Sequence, residues 1–171
     1  MAGKLIQVAT ETVTSATAEV SLQGITTDDV YMVTLLGVTP ATDNTSLYCY
    51  VGIDGTKQTG SAYDGAFKRL KTNTTFSNDS FVNSTTGWIT GHNLGTATSE
   101  NGNSVIYCYN FNNSSEYSFL TFEANVLNSS AICEGRQGGG VYTQAESHNS
   151  INFLFSGGNI ASGTFTLYRC V

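Results

Sequence analysis

An all-β chain, folded as an antiparallel β-sandwich of jelly-roll type, is what these 171 residues predict. Three observations lead there. Runs rich in β-branched and aromatic residues follow one another, and no long stretch repeats with the period of a helix. The breaks between runs carry the Gly, Asn, Asp, Ser or Pro chemistry of turns, with a single proline in the whole chain to interrupt hydrogen-bonded ladders. Several runs are apolar at successive positions, as in Val30-Tyr31-Met32-Val33-Thr34-Leu35-Leu36 and Tyr117-Ser118-Phe119-Leu120-Thr121-Phe122. These read as central strands, or as strands with a second covered face, and many strands with at least two such runs fit two packed sheets better than one open sheet.

The elements follow in order. Strands are expected from Leu5 to Val13 and from Ala18 to Leu22, ended by Gly24-Ile25-Thr26-Thr27-Asp28. The next runs from Val30 to Val38 and stops at Thr39-Pro40-Ala41-Thr42-Asp43. Leu47 to Ile53 ends at Asp54-Gly55, and Ala62 to Lys71 opens into a polar stretch. Trp88 to Thr90, Val105 to Phe111, Tyr117 to Leu127 and Ala131 to Glu134 come next, with Asn112-Asn113-Ser114-Ser115 as a turn. Ile151 to Phe155 leads through Gly157-Gly158-Asn159 to the last strand, Gly163 to Val171. There Thr164, Thr166 and Tyr168 alternate with Phe165, Leu167 and Arg169, so the chain ends by completing a sheet.

Three segments resist the strand pattern. Thr72 to Gly87 is a polar loop whose Phe76 and Phe81 are expected to anchor it to the core. Gly91 to Asn103 is a second polar loop, containing His92 and Glu100. Gly135-Arg136-Gln137-Gly138-Gly139-Gly140-Val141 reads as a glycine-rich turn, a flexible or φ-positive connection; it lacks the Lys-Ser/Thr ending and the following helix of a phosphate loop.

Composition bounds the function. One domain fits the length, and aromatics at 11% with hydrophobic residues at 40% argue against disorder. Only 12% of residues are charged, so Thr, Ser, Asn and Gly must supply the polar surface. A net charge of -6 removes the electrostatic footprint that nucleic acids and anionic membranes select, so neither is an expected partner. The one basic group, Lys68-Arg69-Lys71, reads as a solvated face or an edge-protection device. The amino-terminal residues lack the apolar core of a secretory signal, and synthesis in a cytoplasm is expected. Cys49, Cys108, Cys133 and Cys170 are spaced too widely for zinc pairs or a dense disulfide framework, and are expected as thiols. The N-x-S/T sites at Asn44, Asn73, Asn78, Asn83, Asn112, Asn113 and Asn128 read as a by-product of Asn/Ser/Thr-rich loops.

No catalytic signature stands out. His92 and His148 sit in polar contexts, serines are too abundant to single one out, and no G-x-S-x-G occurs. No metal-ligand spacing is present, and Glu123 is placed on a solvent-facing strand position. The expectation is a non-enzyme with no cofactor.

The phrases Gly3-Lys4-Leu5-Ile6-Gln7-Val8-Ala9-Thr10-Glu11-Thr12-Val13, Thr27-Asp28-Asp29-Val30-Tyr31-Met32-Val33, Asn112-Asn113-Ser114-Ser115-Glu116-Tyr117-Ser118-Phe119-Leu120-Thr121-Phe122 and Ser162-Gly163-Thr164-Phe165-Thr166-Leu167-Tyr168 resemble small virion structural proteins of tailed, particularly marine, bacteriophages. The Arg169-Cys170-Val171 ending departs from the plainer apolar endings of such proteins. That resemblance implies a β-sandwich that decorates or cements the outer capsid by binding the major capsid protein or other virion proteins, as a homo-oligomer, often a trimer. The alternative it implies is a tail or fibre module for host recognition. There Phe76, Phe81, Trp88 and His92 would meet a cell-surface glycan, with Trp88 stacking on a sugar ring.

Overall fold

The computed structural model describes residues 3–171 as strands and turns, with no helix. Thirteen strands run in chain order: β1 (Leu5–Val13), β2 (Val20–Gln23), β3 (Tyr31–Pro40), β4 (Thr45–Ile53), β5 (Thr56–Lys57), β6 (Tyr63–Lys71), β7 (Phe76–Ser84), β8 (Trp88–Leu94), β9 (Gly102–Tyr109), β10 (Ser118–Leu127), β11 (Cys133–Tyr142), β12 (Ser150–Phe155) and β13 (Ile160–Cys170). They form two antiparallel sheets packed against each other. The larger has the order β1-β13-β3-β9-β10-β11-β6-β7; the smaller runs β2-β12-β4-β5, with β8 also paired to β4.

Alternation along each strand decides which residues fill the space between the sheets. In β10, Ser118, Leu120, Phe122, Ala124 and Val126 point inward and are buried, while Phe119, Thr121, Glu123 and Asn125 point outward. β9 does the same with Ser104, Ile106 and Cys108 inward and Val105, Tyr107 outward. From the smaller sheet Leu47, Cys49, Val51, Ile151, Phe153 and Phe155 complete one contiguous core. Burial of such aliphatic and aromatic side chains is each worth about 1.5–3 kcal/mol and is the main stabilising term.

An aromatic seam crosses that core. Tyr63 packs edge-on against Trp88 at 4.8 Å and Tyr142 at 4.8 Å, with Tyr50 at 5.6 Å on its far side. The indole Nε1 of Trp88 donates to the Asp64 carbonyl at 2.9 Å, which satisfies the one polar atom the ring buries.

Several expectations are corrected. The segment from Thr72 to Gly87 is not a loop: it contains β7, which pairs along β6 from Leu70↔Phe76 to Gly65↔Phe81 and forms the sheet's outer edge. Likewise Gly91 to Asn103 holds the end of β8 and the start of β9, leaving a shorter connection. The glycine-rich stretch Gly135 to Val141 is the body of β11, paired on both sides and free of positive φ angles. Its glycines make room rather than a turn. A Cβ at Gly140 would come within 2.0 Å of Trp88 Nε1, and one at Gly138 within 2.4 Å of Phe67 Cβ. Two large rings therefore occupy space that side chains on β11 would have taken.

The apolar runs in β3 and β10 are central strands, but their second face is not covered. Leu36, Tyr117 and Phe119 are exposed. Of the basic group, Lys68 is exposed, whereas Arg69 and Lys71 turn inward, and β6 is not an edge because β7 lies outside it. The Asp54-Gly55 turn is confirmed: both residues have positive φ, 50° and 79°, as a two-residue hairpin between β4 and β5 requires. The four cysteines are free thiols, with Cys49 and Cys108 buried. No helix among the described residues is long and apolar enough to cross a membrane.

Candidate functional site

Two features of the molecule stand out chemically: a charge cluster between the sheets, and the uncovered face of the larger sheet.

The cluster forms because β6, β7 and β11 place charged side chains on inward positions where β8 provides the cover. Arg69 faces Arg136 across the β6–β11 ladder, and Lys71 faces Glu134. Arg69 grips Asp79 of β7 with two nitrogens, Nε at 2.6 Å and Nη2 at 3.2 Å. Arg136 Nη2 reaches the same carboxylate at 3.5 Å, while its guanidinium lies 4.4 Å from the Phe67 ring centre. Glu134 is fully buried, with Lys71 Nζ at 3.6 Å, His92 Nδ1 at 3.8 Å and Arg136 Nε at 3.9 Å. Two cationic side chains and the His92 ring thus surround one buried carboxylate, each beyond direct hydrogen-bond length.

The electrostatics follow from burial. Desolvation, then the charges of Arg136 and Arg69, lowers the pKa of His92 to about 4. The neutral ring accepts a hydrogen bond from Arg69 Nη1 at Nδ1, 3.3 Å away. Desolvation also lowers Arg136 to about 10, with the neighbouring Glu134 and Asp79 carboxylates opposing it. Removing one member of such a set leaves an uncompensated charge and costs about 3–5 kcal/mol. The arrangement clamps the β6–β7 hairpin and β11 against β8.

Ser118 and His148 form a second buried polar pair, Oγ to Nδ1 at 2.8 Å. Both are fully buried, and the imidazole packs edge-on against Tyr142 at 5.0 Å. Burial lowers the His148 pKa to about 4, so the ring is neutral at pH 7. This serine–histidine contact belongs to the core rather than to a cleft that a substrate could enter.

The second feature is the outer face of the larger sheet. Leu36, Val105, Tyr107, Phe119, Leu70, Phe76 and Val82 all lie on it, placed there by the register of β3, β9, β10, β6 and β7. Val82 is 70% exposed and Leu36 67%. Between these side chains run shallow grooves. One of about 570 Å³ is bordered by Leu36, Leu70, Asn125 and Gln137; another of about 490 Å³ by Val105, Tyr107, Thr121, Glu123 and Gln137. A third of about 540 Å³ lies against Ala66, Phe119, Gly139 and Val82. Polar groups punctuate the apolar ones: Gln137 Nε2 donates to Glu123 Oε1 at 2.9 Å, and Lys68 stands across the next ladder. Exposed apolar side chains gathered on one face of a sheet, here interspersed with Glu123, Gln137 and Lys68, are the kind of feature that marks interaction sites.

The four residues singled out from sequence are not assembled into one site. Trp88 is fully buried at the centre of the aromatic seam. Phe81 turns inward over Gly65 and packs on Phe67 at 5.9 Å. His92 joins the internal charge cluster. Phe76 alone is a free surface aromatic, 64% exposed on edge strand β7. Sequence reasoning passed over Leu36, Val105, Tyr107 and Phe119. The signal was present in the runs apolar at every position, since a strand of that kind is either sandwiched or presents its second side outward. The buried Glu134–Arg136 pair was also legible, as two charges spaced by two in a strand.

No family model matches the chain, and no curated protein matches it. Among solved structures it is similar to a fructofuranosidase from Schwanniomyces occidentalis complexed with fructosylnystose, at 5% identity and a TM-score of 0.19. That likeness covers 94% of this chain and 33% of the other, so the chain spans about a third of that protein, and at this score it carries no argument.

Proposed function

We propose that the protein is a non-enzymatic structural protein of a tailed-phage particle, which decorates or cements the outer capsid as a homo-oligomer by binding the major coat protein. The observation that supports this reading is the apolar outer face of the larger sheet, a broad surface on a rigid ladder on which copies of the chain can associate, which leaves the rest of each copy for the coat protein. The strand phrases that resemble phage virion proteins point to the particle as its setting. A net charge of -6 leaves shape, apolar burial and hydrogen bonding as the means of attachment. We read the arrangement β1-β13-β3-β9 over β2-β12-β4-β8 as a jelly roll, with β10, β11, β6 and β7 as additions that widen the larger sheet. Fold by itself does not decide the task.

Purified protein added to capsids that lack it should bind to saturation at a stoichiometry set by lattice symmetry and raise their disruption temperature. Failure to bind capsids, with adhesion to host cells or their glycans, would replace this with the tail or fibre reading. One observation favours that second reading: Tyr107 borders the 490 Å³ groove beside Glu123 and Gln137, an aromatic ring next to a carboxylate and an amide, as sugar recognition uses. Release of sugar fragments would overturn both.

A further inference from the structure

The uncovered face has a pattern of charge and size that is complementary to itself. In one cross-strand row Gln137 of β11 stands between Glu123 of β10 and Lys68 of β6. In the adjacent row Tyr107 and Thr121 lie on one side of Gly139, with Ala66 and Ser80 on the other. In this row the large residues are on the β9–β10 side and the small ones on the β6–β7 side; in the row of Gly135 the order is reversed, with Leu70 and Phe76 on the β6–β7 side and Asn125 and Asn103 on the other. Gly135, further along β11, has no internal reason to be glycine: a Cβ there would meet Leu70 only at 3.9 Å, an ordinary contact distance. Glycine inside a strand weakens it, and it marks places where another chain comes close.

We propose that a second copy of this chain docks on this face, sheet against sheet, about a two-fold axis running along β11. The proposal rests on reading the face as a protein-contact surface and names its occupant. Rotation about that axis exchanges β10 with β6 and β9 with β7 while keeping position along the strands. Glu123 then meets Lys68 of the partner subunit, twice by symmetry, and Tyr107 meets Ser80 of the partner subunit. On the axis Gly135 and Gly139 each meet their own copy and let the sheets approach, and between them the Gln137 amide meets Gln137 of the partner subunit, which can pair with it as donor and acceptor. A two-fold axis across the strands through the Glu123–Gln137–Lys68 row would instead set Glu123 against its own copy and Lys68 against its own copy, which like-charge repulsion disfavours. Packed sheets cross at about 30°. This close to the axis, the long Lys and Glu side chains span the resulting offset. Strands β9 to β7 present on the order of 600 Å² of sheet at strand spacings of about 4.8 Å, comparable with the roughly 800 Å² per partner of a standard stable interface.

Sedimentation equilibrium on the full chain tests it, with Glu123→Lys, Lys68→Glu and the double exchange. Wild type should be a dimer that weakens in roughly 1 M salt. Each single exchange should raise the dissociation constant about tenfold or more, and the double exchange should restore it. Both residues are exposed, and circular dichroism melts verify that the variants fold. A monomer at about 100 µM, a trimer, single exchanges without effect, or a double exchange as weak as the singles overturns the proposal. Capsid binding is scored separately: a dimer that ignores capsids retires the virion reading alone, and a monomer that saturates them retires the dimer, and with it the homo-oligomer, while the capsid reading stands.

Discussion

His148 shows how one buried side chain makes the whole fold sensitive to pH. Its ring is fully buried against Phe111 and Tyr142, with only Ser118 as hydrogen-bond partner. Burial disfavours the charged form and lowers its pKa from 6.5 to about 4. Between those values the unfolded chain binds a proton that the folded chain does not. The stability contributed by the neutral ring is therefore complete above pH 6.5, falls as pH drops through that value, and is fully lost below about pH 4. His92 acts in the same direction, because desolvation and its arginine neighbours also hold it near 4. Urea unfolding at pH 7.5, 6.5, 5.5 and 4.5 should give a free energy that declines by about 1.4 kcal/mol per pH unit for each histidine across the lower part of that range. A flat profile from pH 6.5 to 4.5 would mean that these rings are not buried neutral.

Among the elements, β13 has the most to hold. It lies between β1 and β3 with ladders on both sides, from Leu5↔Cys170 to Val13↔Gly163 on one and from Arg169↔Tyr31 to Thr164↔Leu36 on the other. Phe165 and Leu167 are fully buried, and Phe165 packs on Phe153 of the opposite sheet at 5.4 Å. Deleting the chain from Thr164 onward would strip β1 of its ladder, leave one edge of β3 unpaired and remove two core side chains. The truncated protein should lose soluble expression and its cooperative thermal transition; unchanged circular dichroism and melting would refute this account. β7 is the contrasting element. It has a ladder on one side only, and its hold depends on the Asp79–Arg69 pair and on Phe81 lying over Gly65. A strand held this way belongs to the low-stability end of the molecule.

At the scale of the whole molecule, thiol chemistry separates surface from core. Cys133 is exposed at the start of β11, and Cys170 is partly exposed at the end of β13. Cys49 and Cys108 face the core from opposite sheets, and burial raises both of their pKa values. Under native conditions an alkylating reagent should label Cys133 first and Cys170 more slowly. Cys49 and Cys108 should react only at the rate of global unfolding, and mass spectrometry in denaturant without reductant should then count four modified thiols. Early labelling of Cys108 would mean that the sandwich opens between its sheets far more often than a single cooperative core allows.

How far each of these features could be read from residues alone depends on how local its cause is. The fold class was legible because β-strand alternation and turn chemistry act over a few residues. The Asp54-Gly55 hairpin and the strand built on Phe165 and Leu167 need nothing distant to explain them. β7 was missed because its Asn/Ser/Thr-rich sequence has little strand character of its own. It becomes a strand because β6 offers an unpaired edge and Asp79 finds Arg69. The glycines of β11 looked like a turn because a glycine states only that a side chain is absent. That the missing side chains make room for Trp88 and Phe67, from elsewhere in the chain, is decided by packing. The glycan reading placed Trp88, at the start of an expected strand, and His92, in an expected loop, at a surface for the same reason: polarity near a residue in sequence does not report burial in space. The sequence by itself determined that this protein is built of alternating strands, low in charge and acidic, because those properties belong to short segments and to composition. Only the tertiary structure decided which side of each apolar strand faces the core and which is left open, because that choice depends on which strands the opposite sheet covers.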